Sequence, residues 1–251
     1  MIDIWLVRHA QSQNNANPES QRQPDPPLTS LGHWQAEAVG RHLHDSGPFA
    51  QRFVSAFRRA LETAAPFHHA AQPAYRGFQI WTELFEVGGC FSGYAPHPRR
   101  AESGMTVEEV RQHFPWANPP AAWLAGGWNS LTEFETMEAA IPRADRVKLA
   151  LENMALDTQQ RLGSEPTSTN PERVLIVSHG EFIALLLSRL LTGEPNYFVR
   201  PRSIYNTSIS KVRISVNNDH SAPNNSKNAQ LKCQLLELNQ IAHLSPGAIS
   251  N

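Results

Sequence analysis

Two histidines with basic neighbours are the residues of this chain best suited to chemistry. The first lies in "LVRHAQS" (6–12), where Arg8 and His9 directly follow an apolar run. The second is His179, which follows another apolar run, "RVLIVS" (173–178). An arginine guanidinium binds phosphate oxygens through a planar fork of N–H donors, and a neutral imidazole can act as a base or nucleophile. These residue types together predict a site for a small, multiply charged anion, phosphate being the obvious candidate.

The two histidines meet only if the runs that precede them are neighbouring strands. Both runs are short, rich in β-branched residues and continuously apolar, a pattern typical of parallel strands covered on both faces. Ligands of open α/β sheets bind at the carboxyl ends of the strands, where Arg8, His9 and His179 would lie. Arg59 follows a third candidate strand, "RFVSA" (52–56), and would add a cation from the next helix. The spacing alone does not prove that the strands are adjacent.

Helix N-termini could strengthen such a site. The segment after His179 has a helical pattern, and the first N–H groups of a helix carry a partial positive charge that favours anions. We therefore expect this helix to begin at the pocket and to add N–H donors to the cluster of arginine and histidine side chains.

Strand and helix patterns alternate at both ends of the chain, which predicts an α/β fold. Two further strands are indicated at 208–216 and 232–239, and the polar stretch between them (217–230) is interpreted as a long hairpin loop. Helical patterns occupy 28–47, 57–67, 105–115, 138–163 and 181–193. Together they predict a three-layer sandwich with a central, mostly parallel sheet and helices on both faces.

Several capping and helix-breaking residues set the expected helix boundaries. Thr29 is a candidate N-cap, and Thr106 with Glu109 three residues later forms a capping-box pattern. The helix at 57–67 is expected to end at Pro66. Pro142 is expected to lie in the first turn of the helix at 138–163 or to break it.

The stretch of about 88–135 is rich in Gly, Pro and Trp and shows no clear strand. We interpret it as a lid-like insertion in a single domain that spans residues 1–251. Aromatic residues of this insertion could line the lid, although tryptophan more often serves packing; the candidates are Tyr94, His97, Trp116, Trp123 and Trp128.

Composition excludes several classes of partner. The chain of 251 residues has a net charge of −1, which argues against a nucleic acid or an anionic membrane surface as partner. No segment is apolar and long enough to cross a bilayer, and no signal peptide is recognised, so a cytoplasmic location is expected. Cys90 and Cys233 match no metal or redox spacing, and the remaining histidines have no carboxylate at ligand spacing, so no metal is expected. The sequence leaves the oligomeric state open.

Several segments together resemble the histidine phosphatase superfamily, which includes the cofactor-dependent phosphoglycerate mutases and many phosphatases. They occur in the order of the family's motifs: "LVRHAQSQNN", "PLTSLGHWQAEAVGRHL", "VSAFRRALETA", "LFEVGG" and "VLIVSHGEFIALLL". Near the end of the chain, "YNTSIS" (205–210) and "LLELNQIAHL" (235–244) resemble the family's C-terminal strands.

The resemblance implies roles for individual residues. The implied catalytic residues are His9, Glu86, His179, Arg8 and Arg59. The implied substrate-binding residues are Asn15, Arg8, Arg59 and His179. Within this set His9 matches the nucleophile, and Glu86 best matches the acid that donates a proton, because "LFE" is followed shortly by Gly-Gly. Glu83, three residues earlier, is the competing choice.

Two residues depart from the family's usual pattern. Ala10 stands where the family usually has glycine, and because alanine tolerates a positive φ poorly, an ordinary backbone conformation is expected there. Gln11 replaces a frequent glutamate, which removes a negative charge next to the pocket. Neither change touches a catalytic group.

The resulting hypothesis is a metal-independent phosphomonoesterase of the histidine acid type, which requires no cofactor and acts on a small phosphorylated metabolite. His9 attacks phosphorus in line, and water hydrolyses the phosphohistidine. Nearby arginines disfavour the imidazolium and so lower the pKa of the nucleophile. Glu86 gives its proton to the leaving oxygen and afterwards activates water.

Alternatives to a small-molecule phosphatase stay open. One is phosphotransfer of the phosphoglycerate mutase type, another is a phosphate-binding relic without catalysis, and a third is a protein-tyrosine phosphatase. The mutase branch has a basic and aromatic segment soon after the acid, whereas this chain has "VGGCFSGYAPHPRR" (87–100). Arg99 and Arg100 could bind a distal anion of the substrate, although a solvated pair in a Pro-rich loop is the commoner outcome. We therefore favour a phosphatase, and the sequence does not name the ester.

Overall fold

The computed structural model describes residues 1–70, 77–93, 97–123, 126–162, 170–194, 204–218 and 229–251. Most of the predicted hairpin loop at 217–230 and the candidate lid residue Tyr94 lie outside these ranges.

Strands and helices alternate along the chain. The strands are β1 (Ile2–Arg8), β2 (Gln51–Val54), β3 (Gln79–Ile80), β4 (Phe91–Ser92), β5 (Arg100–Ala101), β6 (Glu172–Ser178), β7 (Ile209–Asn218) and β8 (Ala229–Gln240). The helices are α1 (Gln13–Ala16), α2 (Ser30–Asp45), α3 (Arg58–Ala70), α4 (Val107–His113), α5 (Met137–Leu162) and α6 (Gly180–Leu191). Short 3-10 turns lie at Glu19–Gln21, Thr82–Leu84 and Pro246–Ala248.

The central sheet has six strands in the order β3–β2–β6–β1–β7–β8. The pairs from β3 to β1 are parallel, and β7 and β8 join antiparallel, so the sheet is mostly parallel as predicted. β1 lies beside β6, with Arg8 opposite Ser178. This register places His9 and His179 one residue beyond the same edge, which confirms the adjacency that the spacing alone could not establish.

Helices cover both faces of the sheet, which confirms the three-layer α/β architecture. Alternate side chains of β1 point to opposite faces, as the pleat of a strand requires. Trp5 and Val7 pack in a cluster with Leu43 of α2 and Leu61 of α3. On the other face, the side chains pack with residues of α5 and α6; this second cluster includes Ile2, Ile4, Leu6, Val147, Leu151, Ile183 and Leu186. Burial on both faces explains why β1 is continuously apolar.

Two prolines do not end their helices, contrary to prediction. α3 continues through Pro66 to Ala70, and α5 contains Pro142 as its sixth residue without a break. Phe67, next to Pro66, is 4 % exposed and packs edge-on against Phe49 and Phe78. Tertiary packing of this kind outweighs the missing backbone hydrogen bond of a proline in a helix.

The insertion at about 88–135 contains more regular structure than predicted. β4 and β5 form a two-residue antiparallel pair, and the capping box of Thr106 and Glu109 begins α4 as expected. Strands of two residues are too short to produce a periodic sequence pattern, which explains why β4, β5 and also β3 were missed. Trp123 and Trp128 are buried in the core and so serve packing.

Candidate active site

A cavity of about 660 Å³ opens at the carboxyl ends of β1 and β6. Five of the six predicted site residues line this cavity: Arg8, His9, Asn15, Arg59 and Glu86. The sixth, His179, is fully buried beside it, with its ring centroid 5.1 Å from that of His9. Residues distant in sequence thus meet at one point, as the anion-site prediction requires.

The hydrogen bonds of His9 define which ring nitrogen can react. Nδ1 lies 2.7 Å from the carbonyl oxygen of Ala10. Because a carbonyl oxygen only accepts, Nδ1 carries the hydrogen and Nε2 keeps its lone pair. Arg59 donates from Nε to this Nε2 at 3.2 Å. The lone pair of His9 is therefore held at the cation where a phosphate would bind.

Burial and nearby cations keep both histidines neutral. Burial lowers the pKa of His9 well below its usual range, and the charges of Arg59 and Arg8 lower it further. The pKa of His179 is also lowered well below the usual value, by burial first and then by Arg59. A neutral imidazole is the form that can attack phosphorus.

In the guanidinium group of Arg8, one nitrogen is hydrogen-bonded and another is an unsatisfied donor. Its guanidinium donates to the carbonyl oxygen of Ile204, whereas its buried Nε has no partner among the described residues. Burial lowers the pKa of Arg8 to about 10, which still leaves the group charged at neutral pH. Gly180 leaves room for this side chain, because an added Cβ would lie 3.2 Å from Nε.

His179 is oriented by a residue that the sequence did not indicate. Its Nε2 lies 2.8 Å from the hydroxyl oxygen of Ser55, just after β2. Its Nδ1 is buried and, like Nε of Arg8, has no partner in the described part of the chain. Buried polar atoms are almost always hydrogen-bonded, so two such atoms beside one cavity fit a site built for a bound anion.

Glu86 and Glu83 occupy different environments. Glu86 lines the cavity, and its carboxylate accepts from the backbone N–H groups of Val87 and Phe182, each at 3.0 Å. Glu83 instead forms an ion pair with Arg146 at 2.5 Å. Of the two candidates, Glu86 is therefore the carboxylate placed to reach a ligand.

This contact corrects the prediction for α6. The N–H of Phe182 and, at 3.4 Å, that of Glu181 point to the Glu86 carboxylate. The start of α6 thus lies at the pocket as expected. Its N–H donors were predicted to bind phosphate, but these two bind the Glu86 carboxylate instead. The negative charge of the carboxylate suits the helix N-terminus for the same electrostatic reason.

Asn15 is fixed by its neighbour Ser12. Its side-chain oxygen accepts from the N–H of Ser12 at 3.0 Å and from the Ser12 hydroxyl at 2.9 Å. This leaves the amide nitrogen of Asn15 as the end available to a ligand in the cavity. The residue is therefore oriented as a donor, which fits the phosphate contact that the sequence implied.

Comparison with known proteins identifies the family. The sequence pattern of the histidine phosphatase superfamily (branch 1) matches residues 4–221. The chain belongs to this superfamily. The match spans all the residues of the cavity named above and most of the central sheet.

Known proteins resemble the chain in sequence and in structure. "Probable phosphoglycerate mutase GpmB" of Proteus mirabilis is 28% identical over 212 residues, which covers 84% of this chain and 85% of that protein. Phosphoserine phosphatase of Entamoeba histolytica, solved with 3-phosphoglyceric acid, has 20% identity and a TM-score of 0.53 and covers 98% of this chain and 100% of its own. "Mycobacterial hydrolase 2" has a TM-score of 0.57 at 20% identity, covering 98% and 94% of the two chains.

In this member of the superfamily, side chains beyond the predicted set hold the segment that carries His9. Thr63 of α3 accepts from the N–H of Ala10 at 2.9 Å and donates to the carbonyl oxygen of Arg59 at 2.6 Å. Asn206 donates from its side chain to the carbonyl oxygen of His9 at 3.0 Å. These residues were missed because small polar side chains show no pattern before the fold brings them together.

The backbone near the site agrees with one further prediction. Ala10 does not adopt a positive φ, as expected for alanine in place of the family's usual glycine. Within the described ranges, the non-glycine residues with positive φ are Thr207 and Asn239. Thr207 donates its N–H to the carbonyl oxygen of Arg8 at 3.1 Å.

Among the described residues, no group of three or more histidine, cysteine or carboxylate side chains could hold a metal ion, nor does any helix combine the length and apolarity to span a membrane.

Proposed function

We propose that the chain is a metal-independent phosphomonoesterase that acts on a small phosphorylated metabolite through a phosphohistidine on His9. The observation that supports this most is the placement of a neutral His9 beside Arg59, Arg8 and His179 in one cavity. Positioning and electrostatic stabilisation supply most of the catalysis in phosphoryl transfer. Arginine and histidine donors give that stabilisation here.

In the first step, Nε2 of His9 forms a bond to phosphorus while the bond from phosphorus to the ester oxygen breaks. Binding of the substrate exchanges the hydrogen bond from Arg59 to His9 for one from Arg59 to a phosphoryl oxygen. Glu86 donates a proton to the leaving oxygen, which departs as an alcohol. In the second step, water attacks the phosphohistidine, Glu86 takes the proton of that water, and His9 leaves as a neutral imidazole.

The wall of the cavity also carries aromatic and basic side chains, which indicate what the rest of the substrate contains. Phe91 and Phe134 line it, and Arg99 lies with its guanidinium carbon 3.9 Å from the Phe134 ring centroid. Arg22 lines the cavity as well. A cavity of about 660 Å³ is in the size range of small-molecule sites. We infer that the substrate is a small phosphate ester with an apolar portion. An anionic group on that portion would bind Arg99.

Phosphoglycerate mutase activity is the second candidate, because curated relatives carry that name. A mutase returns the phosphoryl group to a hydroxyl, whereas a phosphatase gives it to water. Incubation with 3-phosphoglycerate distinguishes the two: release of inorganic phosphate supports the phosphatase, and formation of the 2-phospho isomer without release supports the mutase.

The experiment that tests the proposal is hydrolysis of p-nitrophenyl phosphate and of a metabolite panel in the presence of a chelator. We expect activity that the chelator does not reduce and that His9→Asn abolishes. Glu86→Gln should lower kcat for alkyl phosphates by about 10²-fold or more, whereas the matched variant Glu83→Gln should retain activity. Full activity of His9→Asn, or inhibition by the chelator, would contradict the proposal.

A further inference from the structure

A buried ion pair lies behind Glu86, outside the cavity. Arg143 of α5 and Glu135 have side chains that are only 4% and 5% exposed. The contact uses two nitrogens of the guanidinium and both carboxylate oxygens, with Nε donating to Oε1 at 2.9 Å. Buried pairs of this kind are weak evidence for stability, since apolar residues often replace them without loss. The position of this pair therefore requires another explanation.

Arg143 holds the backbone that carries Glu86. Its Nη1 donates to the carbonyl oxygens of Glu83 at 2.7 Å and Phe85 at 2.9 Å. The guanidinium carbon also lies 3.6 Å from the Phe85 ring centroid and 4.4 Å from that of Phe182. Phe182 is the residue whose N–H binds the Glu86 carboxylate. One guanidinium thus contacts both the residue before Glu86 and the residue that orients its carboxylate.

Glu135 connects the same guanidinium to the insertion. It directly follows Phe134, which lines the cavity, and its N–H donates to the carbonyl oxygen of Gly88 at 3.3 Å. Phe134 packs closely here: a Cβ added to Gly88 would lie 2.6 Å from its ring. The ion pair therefore joins the wall of the cavity to the segment that carries the carboxylate.

We propose that Arg143, paired with Glu135, is a positioning residue that sets Glu86 and the Phe134 wall at a fixed distance from His9. This inference rests on the proposed function, in which Glu86 donates the proton to the leaving group. Arg143 does not line the cavity and acts through Phe85 and Phe182. The planar fork suits this task, because a lysine ammonium cannot reach the carboxylate and both carbonyl oxygens in the same geometry.

The dependence of the rate on the leaving group tests this role. The alkoxide of an alkyl phosphate is a poor leaving group and needs the proton of Glu86. The p-nitrophenolate of p-nitrophenyl phosphate is a stabilised leaving group and needs that proton little. Hydrolysis of the phosphohistidine also uses Glu86 and is common to both substrates, so the rate compared is kcat/KM, which reports only the steps up to departure of the leaving group. A displaced Glu86 should therefore lower kcat/KM selectively for the alkyl ester. General structural damage would slow both substrates by the same factor.

The variants are Arg143→Lys, Glu135→Gln and the double variant Arg143→Met with Glu135→Met, which leaves no unpaired buried charge. For Arg143→Lys and the double variant we expect kcat/KM on the alkyl phosphate to fall at least about tenfold more than kcat/KM on p-nitrophenyl phosphate. Glu135→Gln retains part of the hydrogen bonding and should lie between these variants and the unmodified chain.

Arg146→Met is the matched control, because Arg146 lies on the same helix and pairs with Glu83 but is 60% exposed. It should leave both rates unchanged. Circular dichroism and thermal unfolding identify folded variants. Equal loss on both substrates in a folded Arg143 variant would overturn the inference, and so would unchanged rates. If the unmodified chain hydrolysed neither substrate, the proposed function itself would fail, so the two failures are distinguishable.

Discussion

At the scale of single residues, the proposed mechanism gives the same arginines two tasks, which are to bind phosphate and to prepare the nucleophile. Arg59 and Arg8 lower the pKa of His9 beyond the effect of burial, so the imidazole stays neutral where an exposed histidine would begin to protonate. The hydrogen bond from Nδ1 to the Ala10 carbonyl then fixes the reactive tautomer. Binding and activation of the nucleophile therefore share the same side chains.

The lowered pKa values predict how stability depends on pH. Because His9 and His179 have pKa values in the folded state well below about 6.5, the unfolded chain binds more protons as pH falls below that value. The free energy of unfolding should therefore be highest above pH 6.5 and decrease below it, by up to about 1.4 kcal/mol per pH unit for each histidine.

Urea unfolding at pH 7.5 and pH 5.5 measures this dependence. A His9→Asn variant removes one of the two groups and should lose less stability between these pH values than the unmodified chain does. If the two proteins lost equal stability, the assignment of a neutral, buried His9 would be wrong.

At the scale of elements, close packing of α2 fixes the loop that follows His9. Thr29 caps the helix as predicted and accepts from the N–H of Gly32 at 2.9 Å, while its own N–H donates to the carbonyl oxygen of Gln11 at 3.0 Å. The side chain of Gln11 accepts from the Thr29 hydroxyl at 2.7 Å. Gln11 thus faces the start of α2. It was predicted to lie next to the pocket, and it does not line the cavity.

Gly32→Ala tests this packing. An added Cβ would lie 2.0 Å from the carbonyl oxygen of Gln11, so the helix or the loop must move. Alanine favours a helix over glycine by about 1 kcal/mol, but a backbone clash costs about 1–3 kcal/mol. Because 2.0 Å is far inside van der Waals contact, the upper end of that cost applies, and we expect a net loss of about 2 kcal/mol in urea unfolding and a lower kcat.

Gly126→Ala is the control for this substitution, because an added Cβ there meets nothing within 4 Å. Its stability should change by less than about 0.5 kcal/mol. A Gly32→Ala variant as stable as the unmodified chain would show that α2 does not hold the loop tightly.

The elements that sequence patterns predicted well are those with long, continuous signals. β1, β6 and α6 each contain an unbroken apolar run because they are covered by other layers, and α2 and α4 carry threonine caps. The continuation of α3 through Pro66 and the two-residue strands β3, β4 and β5 depend on contacts with distant segments. Local secondary-structure propensity does not predict such contacts.

At the scale of the whole molecule, the sheet brings together residues that lie 170 positions apart in the chain. The residue types and strand ends indicated a phosphate site at Arg8, His9 and His179. The place of Asn15 and Glu86 came from the resemblance to the family. Ser55, Asn206 and Arg143 could not be predicted, because their hydrogen bonds to the site region reach segments remote in sequence.

The central claim, covalent transfer of a phosphoryl group to His9, is tested most directly by trapping the intermediate. The enzyme is mixed with a radiolabelled phosphomonoester, quenched in base, where phosphohistidine survives, and digested for mass spectrometry. We predict one phosphoryl group on the peptide that contains His9 and no label in His9→Asn. Label on His179 instead, or hydrolysis without any trapped label in Glu86→Gln, which should accumulate the intermediate from p-nitrophenyl phosphate, would contradict the account.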